Sequence, residues 1–262
     1  MTDRTARVTP FWAGLTLATG AYLLFLLALL GSAATYTTPG HLWAALGSQE
    51  IRYSTGLSLV SCTTSALLAL FLAVPVGYLL SRARFPGKAW LDAALDIPIV
   101  LPPMVVGLCL LTFFQTPLGK AIESGVHFTY AVAGVVLAQF VIGAAFAVRT
   151  MRGVFDHLSS RPEDVAMTLG CSRGQAVWLV TLPAANRGMF AAFSIAWARS
   201  LGEFGPILVF AGITRMKTEV LPTSIFIKLA AGNLEAAIAV SLLMVTLALI
   251  VLVAVRIFGE RL

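Results

Sequence analysis

Two charged residues interrupt an otherwise apolar stretch in the last third of the chain. Arg199 and Glu203 lie within 188–213, which is rich in Ala, Phe, Leu and Ile. Helix positions four apart share a face, so the guanidinium and the carboxylate can pair. A charge at membrane depth is costly and is expected to face protein or water. Two interpretations stay open: Arg199 gives positive potential to a passing anion, or the pair braces neighbouring helices.

Glycines and prolines predict irregular backbone beside these charges. Gly202, Gly205 and Pro206 follow the pair, and a second group comprises Pro98, Pro102 and Pro103. Proline removes a helical hydrogen bond and kinks or breaks a helix. Broken helices at membrane depth are tolerated only against protein or a water-filled cavity. The two breaks therefore either line a translocation path or serve packing alone.

A polar connection, 149–187, carries helix signals of its own. The signals are a Ser160/Glu163 capping box, an apolar stripe of Val165, Ala166 and Leu169, Gly170 as a left-handed helix end, a second S-x-x-Q signal at Ser172 and Gln175, and a closing Pro183. They predict two short helices joined by a glycine turn at the membrane surface. The alternative is an ordinary interfacial amphipathic linker.

The elements that position these residues are predicted to be transmembrane helices. The chain has 262 residues, of which 58% are hydrophobic and 11% charged, too apolar for a soluble domain of this size. A spanning helix needs about 20 mostly apolar residues. Six stretches qualify: 11–33, 56–80, 97–116, 130–148, 188–213 and 234–258. The first stretch is too long for a signal peptide and is predicted to stay as a span.

Basic residues set the predicted orientation. With the N-terminus inside, the inner segments hold Arg4, Arg7, Arg82, Arg84, Lys88, Arg149, Arg152, Arg161, Arg173, Arg187, Arg256 and Arg261. The outer segments hold only Arg52, Lys120, Arg215, Lys217 and Lys228. This bias predicts cytoplasmic termini and argues against nucleic-acid binding, because the positive charge lies between apolar runs.

Sites for nucleotide, metal or nucleophilic chemistry are not indicated by the sequence. Gly87-Lys88 and Gly119-Lys120 are each followed by Ala and lack the glycine spacing of a phosphate-binding loop. Cys62, Cys109 and Cys171 lie far apart and are expected to be apolar fillers. His41, His127 and His157 are isolated and are expected to be solvated or capping residues. We predict a non-enzymatic chain with no bound cofactor.

The polar connection resembles the EAA loop of ABC import permeases. Matching positions are Asp164, Val165, Ala166, Gly170, Val180, Leu182 and Pro183, with Asp for Glu and Val for one Ala and for Ile. In such permeases this loop forms the coupling helix that docks on an ATP-binding subunit. The resemblance assigns ATPase coupling to 160–183, with Glu163 beside the motif.

Three further stretches resemble the permeases for molybdate, tungstate and sulfate. They run from Val74 to Lys88, from Asp96 to Gly107 and from Ala198 to Gly212. The resemblance implies a single-domain, all-α membrane protein with the type I ABC importer permease fold, in a prokaryotic inner membrane. It implies an oxyanion importer, with molybdate or tungstate favoured and sulfate next.

The same resemblance implies the partners and the path. The partners are a dimeric ATP-binding subunit that holds ATP and Mg, an extracytoplasmic binding protein, and a second permease copy. Expected path or gate residues are Pro102, Pro103, Arg199, Ser200, Glu203, Phe204 and Gly205, and the outer segment 214–233 either helps close the gate or lies on lipid. An ATP-independent transporter or channel and a membrane-embedded enzyme are the alternatives from other classes.

Overall fold

The computed structural model describes residues 10–260, and these form helices joined by turns. The predicted orientation also used Arg4, Arg7 and Arg261, which lie outside the described residues. The helices are α1 (Pro10–Thr35), α2 (Pro39–Gly47), α3 (Gln49–Arg82), α4 (Lys88–Val100), α5 (Pro103–Phe113), α6 (Pro117–Glu123), α7 (Val132–His157), α8 (Arg161–Thr168), α9 (Arg173–Ala176), α10 (Leu182–Ala184), α11 (Asn186–Leu201), α12 (Leu221–Ala230) and α13 (Leu234–Glu260). Two π-helical segments, Val177–Thr181 and Ile207–Ala211, complete the described helical structure.

Helices α3, α7 and α11 pack together through small side chains. The buried alanines of this core are Ala66, Ala69, Ala73, Ala144, Ala147, Ala185, Ala192 and Ala196. Lipid tails are as apolar as leucine, so helices in a membrane associate by close packing rather than by escape from water. Small residues let the three backbones approach closely, and Trp197 and Phe155 fill the remaining space.

Within residues 10–260, four helices are long and apolar enough to cross a membrane, namely α1, α3, α7 and α13. The predicted third span is divided: α4 and α5 meet at an angle of 110° around Leu101 and Pro102. The predicted fifth span is also divided, because α11 ends at Leu201 and the Ile207–Ala211 segment follows an irregular stretch. Counting α4 and α5 as one span gives five, so six spans stay a prediction.

Helix α3 connects two polar regions at its opposite ends. It has 34 residues and is about 51 Å long, which exceeds the hydrocarbon thickness of a bilayer. Its first turns contact the 214–233 segment, since Tyr53 donates a hydrogen bond to the carbonyl of Lys217. Its last turn contacts the segment after α7, since Arg82 donates to the carbonyl of Leu158.

Gly77 provides a sharp test of the α3–α7 packing. A Cβ there would lie 2.9 Å from both the backbone nitrogen of Arg152 and the Cβ of Met151. We expect Gly77→Ala to lower the free energy of unfolding in detergent by about 1–3 kcal/mol through overpacking. Gly56→Ala is the matched control on the same helix, because nothing lies within 4 Å of its Cβ position. Equal stability of the two variants would contradict the proposed close approach.

Candidate functional site: the connection between α7 and α11

The segment from α8 to α9 is a rigid pair of short helices with a left-handed turn. Gly170 has φ +96°, the amide of Cys171 donates to Ala166 and that of Gly170 donates to Met167. These two bonds satisfy the carbonyls at the end of α8 in the Schellman arrangement. The predicted glycine turn is therefore confirmed.

The two predicted capping boxes have different outcomes. Ser172 and Gln175 form the reciprocal pair, so that prediction is confirmed. The Ser160/Glu163 box is wrong: the Ser160 side chain makes no capping hydrogen bond, and the hydroxyl of Ser159 accepts from the amide of Arg161 instead. The physical reason is that a better partner competes for the Glu163 carboxylate.

That partner is the C-terminal end of α3, which is predicted to be its inner end. The Tyr78 hydroxyl donates to Glu163 Oε2 at 2.9 Å, and Arg82 Nε lies 3.6 Å from Glu163 Oε1. Glu163 is buried, at 7% exposure, so these contacts compensate the loss of water around the carboxylate. Arg82 also binds the Leu158 carbonyl at the end of α7. One arginine and one glutamate thus fix α8 to both α3 and α7.

The opposite face of α8 is exposed and partly apolar. Val165 and Leu169 are 57% and 81% exposed, and Asp164 beside them is also exposed. Positions 165 and 169 share one face. The predicted stripe therefore faces outward, whereas Glu163 faces the membrane helices, and Ala166 lies between these faces, half-buried. An anchored helix with an outward apolar face is suited to docking a partner.

The chain continues from α9 into the membrane without a flexible break. The π-helical segment Val177–Thr181 runs directly into α10, which contains the predicted Leu182 and Pro183. Thr181 and Ala185 are buried, and Ala185 immediately precedes α11. Nearly continuous helical backbone therefore runs from Arg173, just after the Gly170 turn, to the helix that carries Arg199.

The two helix breaks meet at the membrane end of this connection. A Cβ on Gly205 would lie 3.1 Å from the backbone nitrogen of Met104 and 3.3 Å from the Cβ of Pro103. A Cβ on Gly107 would lie 2.7 Å from the Cα of Pro206. The structure thus brings the start of α5, with Pro102 as its N-cap, against the 202–206 break.

Charged and aromatic side chains surround this junction. Arg199 and Glu203 form an ion pair at 2.9 Å, which confirms their predicted pairing. Glu203 is buried at 1% exposure, whereas Arg199 is 36% exposed and lies over the Phe146 ring. Ser200 is fully buried on the same helix. Phe204 contacts Phe226 of α12 at 5.1 Å between ring centroids, which connects the break to the outer segment.

The outer segment is held on the start of α3. Glu50 pairs with Lys228 at 3.2 Å and with Arg215 at 3.4 Å. Within this segment, Leu221–Ala230 forms α12, and the amide of Leu221 donates to the Ser58 hydroxyl. The segment therefore contacts protein along α3 and also contacts the break through Phe226.

Several structural contacts were not predicted from the sequence. Tyr78 and Arg82 were noted only within a motif and in the charge count, although their four-residue spacing could have indicated a shared face. Asp92 pairs with Arg152 and Asp96 pairs with Arg149, which fixes α4 to α7. Both pairs join residues distant in sequence, so no local pattern marks them.

The comparisons with known proteins agree with this architecture. Residues 66–262 match the family described as "Binding-protein-dependent transport system inner membrane component". The chain belongs to this family. The family is the transmembrane permease component of ABC importers and is not itself an enzyme, as the sequence predicted.

Curated relatives cover nearly the whole chain. The probable molybdenum ABC transporter permease protein of Haloferax volcanii is 34% identical over 251 residues, 95% of this chain and 91% of the relative. The sulfate transport system permease protein CysT of Escherichia coli is 30% identical, covering 97% of this chain and 95% of the relative. The molybdenum transport system permease protein ModB of Mycobacterium tuberculosis is 34% identical over 81% of each chain. The resemblance to the oxyanion branch is thus confirmed.

Solved structures confirm the fold class. A bacterial ABC transporter involved in the import of the acidic polysaccharide alginate superposes with a TM-score of 0.77 over 97% of each chain, at 15% identity. A second structure of a bacterial alginate transporter, in complex with an alginate pentasaccharide-bound periplasmic protein, gives the same TM-score. The chain is therefore an all-α, multi-pass membrane protein with the permease fold of ABC importers.

Removal of the Glu163 carboxylate is expected to release α8. Glu163→Ala loses the Tyr78 hydrogen bond and the Arg82 ion pair, together about 2 kcal/mol, so amides in 161–169 should exchange roughly 30-fold faster. Hydrogen–deuterium exchange of the full chain in detergent measures this. Asp164→Ala removes the neighbouring exposed carboxylate and should leave exchange unchanged. Equal exchange in both variants would show that Glu163 does not anchor α8.

The Arg199–Glu203 pair predicts an asymmetric double-mutant cycle. Arg199→Ala leaves a buried carboxylate without its partner and should destabilise the protein by about 3–5 kcal/mol. Glu203→Gln should cost less, because Arg199 still reaches solvent. The double variant should be more stable than Arg199→Ala alone, as measured by unfolding in detergent. Additive losses would reject a coupled pair.

Proposed function

We propose that this chain is the permease subunit of an ATP-driven importer of tetrahedral oxyanions, with molybdate or tungstate favoured and sulfate next. It acts as one of two identical permease copies in a prokaryotic inner membrane with both termini cytoplasmic. A separate dimeric ATPase binds ATP and Mg on the inner side, and a binding protein delivers the anion on the outer side. This chain itself binds no cofactor.

The anchored α8 helix carries the coupling part of the proposal. Its Glu163 face is fixed to α3, and its Asp164, Val165 and Leu169 face is free to meet the ATPase. Helical backbone then continues from α9 into α11, so a push on α8 has a stiff route to the Arg199–Glu203 region. A linker lying passively on lipid does not need a buried carboxylate held by a tyrosine and an arginine, which argues against the interfacial alternative.

The junction of the two breaks supports the path part of the proposal. The contact between Pro103 and Gly205 joins α5 to the end of α11, and Phe204 joins the same point to α12. A movement of α11 can thus be passed to the outer segment through the single contact between Phe204 and Phe226. Arg199 is the partly exposed member of the buried ion pair, so it can present positive potential while Glu203 moderates its affinity for an anion, as conduction requires weak binding.

Substrate and binding-protein assignments draw support from relatives. The molybdenum, sulfate and molybdate/tungstate permeases named among them are similar over most or much of the chain. The family is described as binding-protein-dependent. These anions share charge and tetrahedral geometry, so one weakly binding positive path suits all of them, and the binding protein is expected to select among them.

Gly170→Val tests ATP coupling. The site has open space around its Cβ position, so the penalty comes from the positive φ alone, about 1–2 kcal/mol for a left-handed residue, and more for a β-branched one. Transport and binding-protein-stimulated ATP hydrolysis by the complex in nanodiscs should fall together, by about tenfold. Asp164→Lys should act likewise if the ATPase surface facing it is complementary.

The matched control for this experiment is Gly174→Val. Gly174 is also exposed and has open space at its Cβ position, but its φ is not positive. It should retain near-normal coupling and membrane insertion. If both Gly170→Val and Asp164→Lys retain the bound ATPase subunit and transport at the wild-type rate, coupling through α8 is contradicted. That outcome would favour an ATP-independent transporter.

The substrate is tested separately on the binding protein. Titration of the cognate binding protein with molybdate, tungstate, sulfate and phosphate should give tightest binding for molybdate or tungstate. Tightest binding of sulfate would move the assignment to the second anion class without affecting the coupling proposal. Failure to bind any of the four would contradict oxyanion import.

A further inference from the structure

A large apolar groove lies between α3 and the segment that follows α9. It has a volume of about 930 Å³. The α3 wall runs from Leu67 through Phe71 to Leu79, and the facing wall includes Val177, Trp178 and Leu182. Phe71 and Trp178 are 83% and 72% exposed, so the groove is open on its outer side.

Charge is confined to one end of this groove. Its polar end is formed by Arg82 and Arg173, with Tyr78 beside them, and no acidic residue lines it within the described chain. Arg82 is already engaged with Glu163 and Leu158. Arg173 is exposed and makes no ion pair with any described residue, so it leaves an uncompensated positive charge at the mouth.

The dimensions of the groove match one leaflet of a membrane. Positions 67 to 82 of α3 span about 22 Å at 1.5 Å per residue. Half of a bilayer is about 15 Å of hydrocarbon plus roughly 6 Å of headgroup region. A phospholipid with its headgroup at Arg82 and Arg173 would therefore extend its acyl chain to the level of Leu67.

We propose that this groove is a specific site for an anionic phospholipid of the cytoplasmic leaflet. The headgroup phosphate lies against Arg173 at the mouth of the groove, beside Arg82, and an acyl chain lies along α3 against Trp178. The bound lipid bridges the inner end of α3 to the first residue of α9. The site depends on the inner location of Arg82, and not on the proposed substrate or on ATP coupling.

A membrane helix from a second copy is the other candidate occupant. Helix α1 is apolar and lies exposed along its length, so it could fill a groove by shape. However, Arg4 and Arg7 precede it in the sequence, and the predicted orientation would place them beside Arg82 and Arg173. Like charges at the same end disfavour this arrangement, whereas an anionic headgroup is complementary.

Native mass spectrometry of the delipidated full chain tests the proposal. Phosphatidylglycerol and phosphatidylcholine with identical acyl chains are titrated separately. The wild-type chain should bind phosphatidylglycerol more tightly, and Arg173→Gln should lose about fivefold of that preference, the effect of one arginine near an anionic headgroup. Arg187→Gln removes an exposed arginine outside the groove and should retain the preference.

A second variant tests the apolar part of the site. Leu67→Trp places a larger side chain at the far end of the groove, on an exposed position that folding tolerates. It should weaken binding of both lipids at this site. The proposal is overturned by equal affinity for the two lipids, by an unchanged preference in Arg173→Gln, or by lipid binding to monomers but not dimers, which would identify a second copy as the occupant.

Discussion

The half of this protein that contains α8 depends on how one buried carboxylate is satisfied. Glu163 could have capped its own helix, but Tyr78 and Arg82 provide stronger partners and draw α8 against the membrane core. A buried carboxylate without partners is expensive, so the contact restricts α8 to one position. The exposed Asp164, Val165 and Leu169 are held outward as a consequence, and they form a partly apolar surface on an anchored helix.

Helix α3 connects this contact to the polar segment at its other end. Its inner end holds Glu163, its middle packs on α7 and α11 through alanines and Gly77, and its outer end holds Glu50 with Lys228 and Arg215. The inner and outer polar segments are thus fixed to one long helix. The regions with irregular backbone, around Pro102 and 202–206, lie beside this frame and touch each other.

Local patterns in the sequence predicted the helical class, the glycine turn, the Ser172 capping box and the Arg199–Glu203 pair. Each depends on residues within one or two helical turns of each other, so the geometry of a single helix is enough to predict their contact. The Ser160/Glu163 box failed because a tertiary partner outcompeted a local one. The Asp92–Arg152 and Asp96–Arg149 pairs and the 110° bend were not specified, since they require knowledge of which helices are neighbours. The count of six spans stays open for the same reason.

We propose that the outward face of α8 meets an ATPase subunit. The most direct measurement is maleimide labelling of Leu169→Cys in a chain whose native cysteines are replaced by serine. The cysteine should react rapidly in the isolated chain and become protected when the ATPase is added. By contrast, Lys217→Cys, in the segment that contacts the first turns of α3, should react equally in both states. Unchanged labelling at 169 in a complex that hydrolyses ATP would contradict the account.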